Sequence, residues 1–117
     1  MSLTDRELLE LAAKAAGLEF ESHTRSGNGC YLVGVDHPWN PLQDLSQAKS
    51  LRHKLCLSTG YDDRFFGPCA YATYPTGPGS CNSIMQSVEE VGGKRAALRR
   101  AIVRAAAEIG KAMQEKH

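Results

Sequence analysis

The chain has 117 residues, 42% of them apolar and 23% charged, with a formal net charge of +1. That length suits one compact domain over 1–117 with a single core, and the composition is wrong for intrinsic disorder. A balance so close to neutral gives no overall electrostatic case for nucleic acid or membrane. The apolar runs are only a few residues long, too short to span a bilayer. The opening MSLTDRELLE is charged and helical, not a basic stretch followed by an apolar one, so a cytoplasmic protein is expected.

In chain order, the first element is a helix from Asp5 to Ala16. Thr4 followed three residues later by Glu7 is a capping box, in which each side chain satisfies the other's orphan amide. Leu3 and Leu8 stand where a hydrophobic staple would close over it. Leu8, Leu11, Ala12 and Ala15 form the apolar stripe, and Gly17 supplies the left-handed position that ends the helix. A hairpin is expected next, Leu18 to Thr24 pairing with Cys30 to Val35 around the turn formers Asn28-Gly29. It ends at Asp36-His37-Pro38.

Trp39-Asn40-Pro41-Leu42 then leads into a second helix, with Asp44 as N-cap and Leu45, Ala48, Leu51 and Leu55 turned inward. Trp39, the single tryptophan, reads as a plug that seals one end of the core, with ligand stacking as the other use of such a ring. Lys49, Arg52, His53 and Lys54 decorate the outer side and the last turn. Leu55 to Thr59 reads as a short strand and Gly60 to Arg64 as a loop. Cys69 to Tyr74 alternates in the manner of a strand, Pro75 to Ser80 reads as a turn or loop, and Ser83 to Val88 as a last strand. Gly92-Gly93 breaks the chain before the closing helix.

That closing helix, Lys94 to Lys116, is the stretch around which the fold is organised. Leu98, Ile102, Ala105, Ile109 and Met113 fall on one face, widened by Ala101, Ala106 and Ala112. Arg100, Arg104 and Lys111 lie opposite, with Arg95 and Arg99 on the border. A helix so apolar on one side docks on something, and the sheet in the middle of the chain is the expected platform. The order α-β-β-α-β-β-(β)-α is that of an α+β fold: a small antiparallel sheet of four to five strands with three helices, the long C-terminal helix packed on the sheet.

Chemistry is thinly marked. The cysteines at 30, 56, 69 and 81 allow three disulfide pairings, but reduced, buried thiols fit a protein without an export signal. Their gaps, about a dozen residues and more, lack the close pairs of a zinc site. Glu19, Glu21, Asp62 and Asp63 lack the spacing of a calcium loop, so no metal and no cofactor is assigned. No local signature marks a catalytic nucleophile or base. His37, Trp39 and Tyr71 are weak candidates for ligand contact. Gly77-Pro78-Gly79-Ser80 lacks the Lys-Ser/Thr pair of a phosphate cradle, and Gly92-Gly93-Lys94 at a helix N-terminus is a minor candidate for an anion. Lys94, Arg95, Arg99, Arg100 and Arg104 put five cations within eleven residues. Such a cluster can track phosphates, or it can be a solvated helix face.

TDRELLELAAKAAG at 4–17, WNPL at 39–42 and RRAIVRAAAEIGKAM at 99–113 together resemble small uncharacterised proteins encoded by tailed bacteriophages and prophages. The resemblance implies a bacterial host cytoplasm and brings no catalytic residues. The resulting expectation is a non-enzymatic accessory protein that binds a host or phage macromolecule, a protein partner first. The alternatives are a nucleic-acid-binding protein using Lys94, Arg95, Arg99, Arg100 and Arg104, and a small enzyme with a Cys/His site. Close approach of the alanine-rich helix to a copy of itself makes a homodimer conceivable.

Overall fold

The computed structural model describes residues 4–19, 39–62 and 67–115. The elements run α1 (Asp5–Ala15), α2 (Leu45–Leu55), β1 (Ser58–Asp62), β2 (Cys69–Gly77), β3 (Ser80–Ser87), α3 (Val88–Val91) and α4 (Lys94–Glu115). The fold is α+β, with α4 packed on an antiparallel sheet. Three strands are present among the described residues, in the order β1-β2-β3, where four to five were expected. The expected hairpin over 18–35 falls almost wholly outside those residues, as do Leu3, His37, Phe65 and Phe66.

Local signals set the ends of both early helices. In α1 the Glu7 amide donates to Thr4 Oγ1 at 3.2 Å, and Glu7 Oε1 accepts from the Thr4 amide and hydroxyl at 3.0 Å each. Those bonds from the Thr4 backbone and side chain hold the Glu7 carboxyl below its ordinary range. At the other end Gly17 takes φ +73°, its N–H bonds the Lys14 carbonyl, and the Leu18 N–H bonds the Ala13 carbonyl. This double closure satisfies the last orphan carbonyls. The buried stripe is Leu8, Leu9, Ala12, Ala13 and Ala16. It is turned from the expected one, leaving Leu11 and Ala15 half-buried.

Helix α2 begins where expected, with Asp44 Oδ1 accepting from the Gln47 amide at 3.2 Å. It buries Ala48 and Leu51. It closes with the same pair of bonds as α1, Cys56 N–H to the His53 carbonyl and Leu57 N–H to the Arg52 carbonyl. The left-handed residue here is Cys56, at φ +56°. That turn displaces the following strand, which covers Ser58–Asp62 instead of Leu55 to Thr59. The expected loop residues Gly60, Tyr61 and Asp62 are therefore strand. Gly60 stands opposite Tyr71 in the ladder. A Cβ on Gly60 would meet the Tyr71 ring at 2.8 Å, so the ring lies over the bare glycine backbone and supplies the packing a side chain would give.

The turn expected over Pro75 to Ser80 is also corrected. β2 runs through Pro75 to Gly77, and the reversal is Pro78-Gly79, with Gly79 at φ +73°. Proline survives in this strand because β1 ends opposite Thr73. Past that point β2 has no neighbour on that side, among the described residues, to miss the absent N–H. Val88 does not end β3; it opens the short helix α3, and its N–H bonds the Pro68 carbonyl.

The sheet buries Ala70, Ala72, Tyr74 and Gln86, and α4 packs on all three strands as well as on the other helices. Ala97, Ala101, Ile102, Val103, Ala105, Ala106 and Ala107 are all buried, which covers the middle of α4 nearly all round. The expected one-sided stripe missed Val103 and Ala107 and included Met113, which is exposed. A helix apolar all round belongs inside a core, and α4 takes that place between the sheet and α1. Gly110 marks the tightest contact. A Cβ there would lie 2.8 Å from the Leu11 carbonyl carbon and closer still to its oxygen. Ala97, Ala101, Ala105, Ala106 and Ala107 are thus covered within one chain, while Ala96 is half-buried and Ala112 exposed.

Candidate binding cleft at the head of α4

Gly92, at φ +81°, closes α3 and turns the chain into α4. The Ala97 N–H bonds the Gly93 carbonyl and starts the helix ladder. The five expected cations then leave the helix in different directions, because successive residues rotate by about 100°. The structure does not bring them to one face.

Lys94 lies with Nζ 5.8 Å from the Tyr61 ring centroid, a cation–π contact at an exposed site. The Tyr61 hydroxyl donates to the Lys94 carbonyl at 3.4 Å. Arg95 is exposed. Arg99 donates through Nε to the Leu42 carbonyl at 2.9 Å, a partly buried bond that ties α4 to the turn before α2. Arg100 meets the Asp5 carboxylate at 3.1 Å, tying α4 to the first turn of α1. Arg104 turns to the sheet, donating to Gln86 Oε1 at 2.9 Å and to the Met85 carbonyl at 3.4 Å.

Arg99 and Arg100 are the pair that share a site. With Asp5, Gln43 and Val91 they line a polar cleft of about 390 Å³ between α1, α3, α4 and the turn at 41–43. A guanidinium carries five N–H donors, so each has donors beyond the bond that orients it. Two arginines against one aspartate leave the cleft a surplus of positive charge. Chemically, such a site accepts a carboxylate or a phosphate oxygen, and the planar fork favours a bidentate grip. Asp5 is the carboxylate among its described lining residues, and Arg100 engages it.

The other candidates are scattered. Trp39 is buried in the core cluster and borders an apolar cavity of about 340 Å³ with Ala16, Leu18 and Leu51. Tyr71 is half-buried over Gly60, on the sheet and away from that cavity. His37 lies outside the described residues. Cys56, Cys69 and Cys81 are free thiols. Among the described residues no group of three His, Cys, Asp or Glu side chains is arranged to hold a metal ion. No helix there is long and apolar enough to cross a membrane.

Sequence reasoning missed Asp5, Gln43 and the Leu42 carbonyl as parts of the cleft. Asp5 carries a visible sign, an acid in a helix first turn, but its partner stands 95 residues away. No protein-family model, characterised protein or solved structure matches this chain.

Proposed function

We propose that this chain is a non-enzymatic accessory protein of a tailed phage or prophage, acting in the host cytoplasm by binding a protein partner. Its Arg99–Arg100 cleft receives an acidic side chain of that partner. The observation that carries the reading is the convergence of two arginines, each already oriented by an internal acceptor, on one cleft open to solvent. Pre-oriented donors bind an anion without first losing their own rotamer freedom. A nucleic acid would need a continuous run of cations along one surface, and Arg104 is engaged on the sheet while Lys94 sits against Tyr61. The resemblance to phage proteins supplies the biological setting.

The test is capture from lysates of phage-infected host cells by immobilised wild type and by the Arg99→Ala, Arg100→Ala double variant, after matched thermal melts. The expected result is a protein retained by the wild type, lost from the double variant and insensitive to nuclease. Equal retention by both proteins would remove the cleft from the interface. Retention abolished by nuclease would transfer the function to nucleic acid.

A further inference from the structure

β3 is an edge strand of eight residues, SCNSIMQS, and among the described residues nothing pairs with its outer side. Natural proteins protect such edges with charged residues, proline or a bulge in the edge strand. β3 has no charge and no proline, and the one irregularity of the hairpin lies across from it, between Pro75 and Gly77. Ser80, Cys81, Asn82, Ser83 and Met85 are exposed.

Protection comes instead from side chains laid over the edge backbone. In an antiparallel ladder both polar groups of a residue point to the same side, and the side alternates along the strand. Arg104 reaches the Met85 carbonyl, so Met85 and the residues of its parity, Cys81, Ser83 and Ser87, point away from β2. Three of these four have a local partner on one backbone group. Asn82 Oδ1 accepts from the Ser83 amide at 3.0 Å, Arg104 Nη1 donates to the Met85 carbonyl at 3.4 Å, and Gln86 Nε2 donates to the Ser87 carbonyl at 3.3 Å. Arg104 also holds Gln86 Oε1, so it fixes a second of the three caps. Two of these three bonds are long for hydrogen bonds between nitrogen and oxygen, and an incoming strand with shorter, aligned bonds outcompetes them.

We propose that the outer edge of β3 is a latent strand-pairing surface for a second copy of this chain, and that Arg104 holds it closed. The second copy fits because antiparallel pairing of β3 with itself across a two-fold axis sets only uncharged side chains opposite one another. A charged edge would face its own like charge. Arg104 is thereby a lock on the sheet and not a phosphate contact. It is half-exposed, so its removal opens the edge without emptying the core.

The test is sedimentation velocity over a concentration series, with thermal melts to confirm folding. Wild type sediments as a monomer and Arg104→Ala doubles its mass in a concentration-dependent way. Adding Ser83→Pro to Arg104→Ala restores the monomer, since it deletes an outward N–H and no backbone bond to β2, only the side-chain bond of the Ser83 hydroxyl to Thr73. Ser83→Lys, which sets like charges together at the edge, does the same by a second route. An Arg104→Ala protein that stays monomeric overturns the proposal, as does association untouched by both Ser83 changes. A wild type that is already dimeric through β3 overturns the role of Arg104. A monomeric Arg104→Ala protein that takes up an added uncharged extended peptide assigns the edge to a foreign strand and overturns the second copy as occupant.

Discussion

α1 and α2 are both eleven residues long, both close with the same pair of reverse bonds, and both dock on α4. They are held by different means. α1 lays small residues against α4 so closely that the Leu11 backbone fills the space beside Gly110. α2 buries only Ala48 and Leu51 fully; the segment leading into it buries Trp39, Pro41 and Leu42 and is tied as well by polar bonds, Arg99 to the Leu42 carbonyl and the Asn40 amide to Gln47 Oε1 at 2.6 Å. Close backbone approach gives a contact that tolerates no added atom, because packed interiors have no spare volume. Side-chain ties leave room, and the clefts lined by Arg99 and by Trp39 both lie against the α2 segment. The tight helix reaches them only at its ends, through Asp5 and Ala16.

The sharpest way to break the comparison is Gly110→Ala. In an open helix that change stabilises by about 1 kcal/mol. Here the new methyl meets the Leu11 backbone, which has no side-chain torsion to relieve it, and a loss of about 3 kcal/mol is expected. Urea denaturation reads the sign; a gain would show that α1 does not sit against Gly110.

Cys56→Gly sharpens the other side. A non-glycine residue in the left-handed region costs roughly 1–2 kcal/mol, and Cys56 is exposed, so no packing is lost. The variant is expected to gain about 1 kcal/mol and to slow amide exchange in α2 while leaving α1 unchanged. A loss would mean that the thiol makes a contact that offsets the strain.

Thr4→Ala removes the acceptor for the Glu7 amide and half of the reciprocal pair, with an expected loss of about 1 kcal/mol. Local exchange in the first turn of α1 should rise most. Without that response the box is not holding the helix end.

The smallest effect is on pH. The Glu7 carboxyl titrates lower in the folded chain than in the unfolded one, so its contribution is present above the ordinary glutamate range. It is lost as pH falls through the folded value. Glu7→Gln keeps a side-chain acceptor for the Thr4 amide and cannot titrate. Its acid-side stability curve should therefore fall less steeply than that of the wild type, and two superimposed curves would remove the linkage.

How far this fold can be read from the chain depends on the reach of each signal. Thr4 with Glu7, Asp44 with Gln47, Gly17 and Gly92 act over three or four residues, and each does what its local chemistry dictates. The strands were harder. Gly60 and Pro75 are turn formers by local preference, yet both are strand, because Tyr71 packs over the first and β1 stops short of the second. The cleft was half visible. Arg99 and Arg100 stood out as charges, but their orienting partners lie 57 and 95 residues away, and a list of cations does not say which of them share a surface.

By itself the sequence determined where α1, α2 and α4 begin, the long apolar run of α4, and the α+β class, since caps, turns and periodicity are local properties; it did not mark the short helix α3. Tertiary structure alone decided that α4 is enclosed nearly all round, that Gly110 lies against the α1 backbone, and that one cluster of cations divides into a cleft pair, a lysine over Tyr61, an arginine tied to the sheet and an exposed residue. The reason is that burial and pairing are set by which surfaces meet. Surfaces distant along the chain meet only once every element is in place.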